Sequence, residues 1–154
     1  MRIFVDADGC PVVQVAVNLA KEFNIPITLV KNYAHILNND YAEIVTVDTT
    51  ADSADYYIVN HLSQGDIVVT QDNGLAAMCL SRNATPINQN GLIINDSNII
   101  TMLSSRHLHK ELRSQGIYTS KVKKRNKGSD KEFEISFRRL LQEVTVNGNE
   151  QETT

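Results

Sequence analysis

Strand-like and helix-like patterns alternate along this chain of 154 residues, and the alternation restricts its possible folds more than any other feature. Runs rich in β-branched residues predict strands at residues 2–6, 26–31, 43–47, 66–71 and 91–95. Apolar residues at helical spacing predict three helices at residues 12–23, 52–62 and 73–82. A fourth helix is predicted to begin at residue 97 or 98 and to end before Gly116, and a fifth to begin at Ser129. Repeated strand-then-helix units are typical of a parallel sheet covered on both faces. We therefore expect an α/β fold, a single three-layer domain whose mainly parallel sheet carries helices on both faces.

Length and composition fit one domain, because 42% of the residues are hydrophobic and can furnish one core. We expect this domain to span residues 1–144 and residues 145–154, which have little apolar content, to form a disordered C-terminal tail. No apolar run is long enough to cross a bilayer, no leader-like segment opens the chain, and Cys10 and Cys79 lie far apart. These features predict a cytoplasmic protein with reduced thiols and no membrane partner.

Charge is distributed unevenly along the chain. Residues 1–100 carry 4 basic and 11 acidic side chains, whereas residues 101–154 carry 11 basic and 7 acidic ones. This asymmetry indicates either that cations and a polyanion bind in different places or that charge simply varies along the chain.

Acidic residues follow the predicted strands at the edge where parallel sheets place their functional groups. Asp6 and Asp8 end the first strand, Asp72 follows the fourth, and Asp55 lies in the first turn of a helix. Close carboxylates repel one another, so the cluster favours a bound cation, and oxygen ligands without histidine favour Mg²⁺ or Mn²⁺ over Zn²⁺. Alternatively, Asp8 and Asp72 cap helices and Asp55 interacts with the positive end of its own helix. Four acids at one edge favour the metal site.

Two polar residues flank the fourth predicted strand. Thr70 precedes Asp72 by two residues, so its hydroxyl is expected on the same face, where it can bond Asp6, Asp72 or a metal-bound water. The alternative is that Thr70 is an ordinary β-branched strand residue. Asp66 follows Gly65 at the opposite edge of the sheet, where we expect it to stabilise a turn.

A basic run precedes the last predicted helix and consists of Lys121, Lys123, Lys124, Arg125 and Lys127. Such a run is either a solvated connection or a surface that binds phosphate groups through counterion release. In the same small domain as an acidic metal site, it favours a phosphodiester substrate and predicts RNA or another nucleic acid as the partner.

The histidines and cysteines indicate no further catalytic group. No metal-binding spacing occurs among His35, His61, His107 and His109. Cys10 precedes Pro11 at a helix N-terminus, where the helix dipole lowers a thiol pKa, but the nearby carboxylates act in the opposite direction. We expect both Cys10 and Cys79 to be packing residues.

An ordered set of motifs resembles the YaiI/YqxD family of bacterial proteins, whose fold is similar to PIN-like nuclease domains. The motifs are Asp6-Ala7-Asp8-Gly9-Cys10-Pro11, Asp52-Ser53-Ala54-Asp55 before Ile58, Gly65 to Asp72 with Leu75-Ala76, and Glu111-Leu112-Arg113 with Gly116. The resemblance covers roughly residues 1–144 and implies a PIN-like fold. It also implies metal binding by Asp6, Asp55 and Asp72, with Asp8 as a fourth acid and Thr70 as the hydroxyl of a Thr-x-Asp element. The chain departs from the family at Gly9, where Ala is usual, and at residues 120–122, where a Gly-Gly-Pro-like turn is usual.

Three functional hypotheses follow from these residues. The first is a Mg²⁺- or Mn²⁺-dependent nuclease or phosphodiesterase in which the acids hold one or two ions. The second is a phosphatase of the haloacid dehalogenase type, with Asp6 as nucleophile and Asp8 as acid/base. The third is a non-catalytic RNA-binding or toxin-like module in which the acids serve as helix caps.

Overall fold

The structure, a computed structural model, describes residues 1–32, 37–50, 52–116 and 125–152. Its strands are β1 (Ile3–Asp6), β2 (Ile27–Asn32), β3 (Glu43–Val47), β4 (Ile67–Val69) and β5 (Thr85–Ile87). Its helices are α1 (Val13–Glu22), α2 (Ser53–His61), α3 (Asn73–Ser81), α4 (Ile99–Ser114) and α5 (Lys127–Glu152).

The strands form one sheet in the order β3-β2-β1-β4-β5, and every pair of neighbours is parallel. The chain builds the sheet outward from β1 in one direction through β2 and β3, then crosses to β4 on the other side of β1. This reversal places a topological switch point between β1 and β4, and open α/β sheets bind ligands at the carboxyl ends of the strands beside such a point. The prediction of a single α/β domain with a mainly parallel sheet is confirmed.

Alternation along each strand directs apolar side chains to both faces of the sheet. Ile3 and Val5 of β1 belong to a core formed with α1 and α5, in which Phe133 and Phe137 are fully buried. Phe4 points to the opposite face and packs with residues of α2 and α3. Each fully buried side chain of this kind contributes about 1.5–3 kcal/mol. The helices therefore cover both faces, as the three-layer, PIN-like prediction requires.

The fifth strand differs from the prediction. Residues 91–95 form no strand in the structure, and only an isolated antiparallel bridge joins Ile93 to Ile87. The edge strand β5 is instead Thr85–Ile87, which contains Pro86. Proline lacks a backbone donor and argues against a strand in sequence, but it is tolerated at the edge of a sheet.

The last helix begins earlier and ends later than predicted. Asn126 precedes it and accepts hydrogen bonds from the backbone and hydroxyl of Ser129, so Asn126 takes the capping role that the sequence assigned to Ser129. The helix continues to Glu152, although the low apolar content of residues 145–154 predicts a disordered tail. Residues 145–150 are all exposed, so their composition leaves them outside the core while still allowing a helix.

Asp66 stabilises a turn at the amino edge of the sheet, as expected. Its carboxylate accepts hydrogen bonds from the backbone N–H groups of Arg2, at 2.9 Å, and Ser63, at 2.8 Å. The side chain is 2% exposed, so these two bonds satisfy a buried charge. Asp66 thereby joins the starts of β1 and β4.

Candidate functional site

A hydrogen bond between neighbouring strands fixes the centre of the acidic cluster. In the register of the sheet, Phe4 pairs with Val68 and Val5 with Val69, so Asp6 lies beside Thr70. The hydroxyl of Thr70, which is 1% exposed, donates to Asp6 Oδ2 at 3.2 Å. Both side chains share the face on which Phe4 packs, and the Thr70 hydroxyl makes the hydrogen bond to Asp6 that the sequence predicts as one of its possible contacts.

Asp72 caps α3 and is held next to this pair. Its Oδ1 accepts hydrogen bonds from the N–H groups of Gly74, at 2.8 Å, and Leu75, at 3.3 Å. Its own N–H donates to Thr70 Oγ1 at 3.0 Å. Thr70 thus connects the acid at the end of β1 with the acid at the start of α3. The helix-capping interpretation of Asp72 is correct, and it places a carboxylate at the switch point.

Asp55 interacts electrostatically with the other acids of the cluster. Burial, together with the smaller effects of the charges of Asp72, Asp6 and Asp52, raises the pKa of Asp55 to about 6. Burial also raises the pKa of Asp6; the Thr70 hydrogen bond opposes this effect, and the charges of Asp72 and Asp8 add to it. The charge of Asp72 therefore disfavours ionisation of both Asp6 and Asp55, and such perturbed carboxylates are typical of functional sites.

Asp8 has a different setting from the other acids. Its Oδ2 accepts a hydrogen bond from the backbone N–H of Asn32, the last residue of β2, at 2.8 Å. The helix-capping alternative for Asp8 is wrong, because the cap position of α1 is Val12 and α1 has no side-chain cap. Asp8 joins the loop after β1 to the end of β2 while still bordering the cluster.

Two cavities open at the acidic edge of the sheet. One, of about 280 Å³, has Asp6, Asp8, Asp55 and Asp72 in its wall together with Asp52. The other, of about 350 Å³, is lined by Asp6, Asp8, Gln71, Asp72 and Asn73. All four predicted acids therefore face a shared solvent-filled space. Asp52, which the sequence indicates only as part of a motif, also lines the site. It occupies the N-cap position of α2 with a φ of +72°, and its side chain makes no capping bond.

The donor set fits a hydrated hard cation better than a closed metal site. Within the described part of the chain, no group of three or more histidine, cysteine, aspartate or glutamate side chains is arranged to hold an ion directly. Mg²⁺ keeps several of its waters and is often held through only one or two carboxylates. Asp6, Asp55 and Asp72 are the residues that would hold such a cation.

The predicted basic residues divide into two groups. Lys121, Lys123 and Lys124 lie outside the described residues. Arg125 and Lys127 are described, and Lys127 is an exposed first residue of α5. Arg125 forms an ion pair with Asp130 at 2.7 Å and also donates to the Gln89 carbonyl at 2.7 Å and to Asn90 Oδ1 at 3.0 Å. Its guanidinium therefore anchors the start of α5 to the turn after β5.

Both cysteines are in environments that oppose thiolate formation. Burial raises the pKa of the half-buried Cys10, and burial raises that of Cys79 to about 12. Cys10 packs against the core that contains α1, and Cys79 lies in the core between α2 and α3. A protonated thiol is a poor nucleophile, which agrees with the packing role predicted for both residues.

Comparison with known proteins identifies the family. A family model described as "Uncharacterized BCR, YaiI/YqxD family" matches residues 4–143. The chain belongs to this family, and the resemblance seen in its motifs is confirmed. No solved structure matches the chain. In the described residues, no helix combines the length and apolar character needed to span a membrane.

Several bacterial relatives resemble the chain over most of its length. A "UPF0178 protein" of Alkaliphilus oremlandii is 44% identical over 154 residues, covering 99% of both chains. Another, from Ruminiclostridium cellulolyticum, is 45% identical over 134 residues, covering 87% of this chain and 88% of the relative. A third, from Exiguobacterium sibiricum, is 43% identical over 145 residues, with 94% and 99% coverage.

Proposed function

We propose that the protein is a divalent-metal-dependent phosphodiesterase, a nuclease that acts on RNA or another nucleic acid. The observation that carries this proposal is the convergence of Asp6, Asp55 and Asp72 at the switch point of a parallel sheet. These acids come from three distant segments and line one cavity, and the charge of Asp72 adds to the burial that raises the pKa of Asp6 and of Asp55. A cation would relieve this repulsion, which purely structural acids have no reason to retain.

In this proposal Asp6, Asp55 and Asp72 would hold Mg²⁺ or Mn²⁺. The bound ion would supply Lewis-acid stabilisation of the phosphate and a more acidic water. Thr70 keeps Asp6 and Asp72 oriented through its two hydrogen bonds. Asp55 has a pKa near neutrality, so it can accept a proton from water at physiological pH.

The geometry gives less support to the phosphatase alternative. That mechanism requires Asp6 as nucleophile and Asp8 as acid/base, with Asp55 and Asp72 remote from them. Asp8 instead accepts a hydrogen bond from Asn32, and Asp72 contributes to the raised pKa of Asp6. Asp72 raises the pKa of Asp6 more than Asp8 does, and Asp6 and Asp72 both contribute to the raised pKa of Asp55, which favours the acid set of the phosphodiesterase proposal.

A metal titration combined with a cleavage assay tests the proposal. Calorimetry of the purified protein with Mn²⁺ should give saturable binding, which Asp6→Asn weakens. Asp6→Asn should also raise the melting temperature in metal-free buffer, because it removes one of several repelling charges while an acceptor for Thr70 remains. Cleavage of single-stranded RNA should require added Mg²⁺ or Mn²⁺ and disappear in Asp6→Asn purified in parallel.

The same experiment separates the alternatives. Unchanged Mn²⁺ affinity in Asp6→Asn would exclude Asp6 as a ligand and overturn the proposal. Equal destabilisation of Asp6→Asn with and without metal would indicate a purely structural acid. If a crystal soaked in Mn²⁺ shows metal density that contacts Asp6 and Asp8 but not Asp72, the result would favour the phosphatase.

A further inference from the structure

A cavity beside the acidic cluster differs from it in chemistry. This amide cleft, of about 690 Å³, lies between the turn after β5 and the start of α5, and its wall includes Gln71, Gln89, Asn90, Arg125, Asn126 and Glu132. Gln71 also lines the 350 Å³ cavity of Asp6 and Asp72. The two spaces therefore meet at Gln71, so a ligand that reaches the acids can extend into the amide cleft.

Carboxamide side chains dominate the amide cleft. Three of them form a hydrogen bond to the protein through only one of the two polar atoms of the amide. Gln71 Nε2 donates to the Gly9 carbonyl at 2.8 Å, Asn90 Oδ1 accepts from Arg125, and Asn126 Oδ1 accepts from the Ser129 N–H. Each of these side chains keeps its other polar end without a hydrogen bond to any described residue. An amide fixed at one end presents the other in a restricted direction, which reduces the entropy cost of binding.

The fourth carboxamide points to an incomplete site. Gln89 Oε1 is buried and has no hydrogen-bond partner among the described residues. Leaving such an acceptor unsatisfied is unfavourable, because the buried oxygen has lost its hydrogen bonds to water. A ligand that donates to Gln89, or that reorients its amide, would remove this cost.

The charges of the amide cleft are balanced, which argues against a phosphate as its occupant. Arg125 is paired with Asp130, and Glu132 adds a negative charge to the wall. The N–H of Ser129, in the first turn of α5, is already used by Asn126. A neutral group with both donors and acceptors suits this wall better than an anion, and the edge of a nucleobase is such a group.

We propose that the amide cleft binds the nucleobase of a nucleotide next to the phosphate that lies at the acidic cluster. This inference rests on the proposed phosphodiesterase function for its location, and it specifies single-stranded nucleic acid as the substrate class, since a paired base cannot present its Watson–Crick edge. Glu132 contributes only acceptor oxygens, so bases with an exocyclic amino group, adenine, cytosine and guanine, are favoured over uracil.

Titration with uncharged nucleosides in EDTA tests the amide cleft without the metal site. Adenosine, cytidine and guanosine should shift the side-chain NH₂ resonances of Gln71, Gln89, Asn90 and Asn126 in ¹⁵N–¹H spectra, with uridine binding most weakly. The NH₂ groups of Gln14 and Asn18, which bond each other on α1, serve as internal controls. Inorganic phosphate should leave the cleft resonances unshifted. The absence of shifts with every nucleoside, or equal shifts with phosphate, would overturn the proposal.

A matched pair of variants gives the second measurement. Asn126→Asp keeps the acceptor that caps α5 but loses the NH₂ donor, and should weaken nucleoside binding roughly 2- to 12-fold, the effect of one hydrogen bond. Asn18→Asp adds the same charge on α1 and should change affinity little. Equal affinities for the two variants would contradict the proposal. If nucleosides bind but Mn²⁺ does not, the amide-cleft proposal stands and the phosphodiesterase proposal is refuted. If Mn²⁺ binds but nucleosides do not, the phosphodiesterase proposal stands and the amide-cleft proposal is refuted.

Discussion

Gly91 approaches α5 so closely that a Cβ atom on it would lie 2.8 Å from Cβ of Ser136 and 2.9 Å from the Glu132 carbonyl oxygen. The Ser136 hydroxyl donates to the Gly91 carbonyl at 2.5 Å, and the φ of Gly91 is +86°. This close approach and the Arg125 hydrogen bonds hold the turn after β5 against the start of the helix. Together they set the width of the amide cleft.

Gly91→Ala should destabilise the protein by roughly 1–3 kcal/mol, because the added methyl group overlaps α5 and the backbone conformation disfavours a side chain. Gly148→Ala is the matched control, since its Cβ would meet nothing within 4 Å. In an exposed helical segment that change should stabilise by up to about 1 kcal/mol. Urea unfolding of both variants measures the difference, and equal stabilities would contradict the close approach of Gly91 to α5.

Two substitutions of Asp72 separate its capping role from its proposed metal role. Asp72→Ala removes the acceptor for Gly74 and Leu75 and should cost about 1 kcal/mol of stability. Asp72→Asn keeps an acceptor oxygen and should retain most of that stability while weakening Mn²⁺ binding. Thermal melts and calorimetry on both variants check this. Full Mn²⁺ affinity in Asp72→Asn would limit Asp72 to a structural role.

The raised pKa of Asp55 predicts a pH dependence of stability. Folding raises this pKa from 3.8 to about 6, so the folded protein binds the proton more tightly than the unfolded chain does. The stabilisation from the protonated form is complete below pH 3.8 and is lost as the pH rises through 6. In metal-free buffer, Asp55→Asn should therefore raise the melting temperature at pH 7.5 more than at pH 4.5. A pH-independent difference between variant and parent would refute the pKa shift.

The phosphate-binding role predicted for the basic run can be tested without substituting Arg125, which has a structural role. Arg125 should be left intact, because its removal leaves Asp130, Asn90 and the Gln89 carbonyl without their donor. Replacing Lys121, Lys123 and Lys124 by Ala should weaken single-stranded RNA binding and reduce the log–log salt slope by roughly 0.7 for each phosphate that the variant no longer neutralises. Filter binding across a salt series measures the slope. An unchanged slope would mean that these lysines bind no phosphate groups.

The acidic edge was predictable from the sequence because it depends on local rules. The two-residue period of a strand placed Asp6 on the face of Phe4, and parallel pairing brought Thr70 beside it. Asp72 was recognised from its position before a helix. The face of each residue and the parallel direction of the strands follow from short-range patterns, whereas the pairing of β1 with β4 is seen only in the structure.

The amide cleft was not predictable in the same way. Arg125 reads as one more cation in a basic run, yet its hydrogen bonds to Gln89 and Asn90 span 36 and 35 residues. The edge strand β5, which positions that turn, was not predicted because Pro86 argues against a strand in sequence. Such interactions depend on how α5 docks onto the finished sheet, and the docking of distant segments leaves no periodic signal in a single sequence.

The packing of α5 has a consequence for how the chain acquires its structure during synthesis. Every acid of the cluster lies within residues 6–72, whereas one face of the sheet is completed by Phe133, Phe137, Leu140 and Leu141. Because chains fold from the N-terminus as they leave the ribosome, the carboxylate edge can assemble while α1 alone covers that face. A nascent chain at this stage displays part of this apolar core to chaperones and to other chains, and the emergence of α5 ends that exposure.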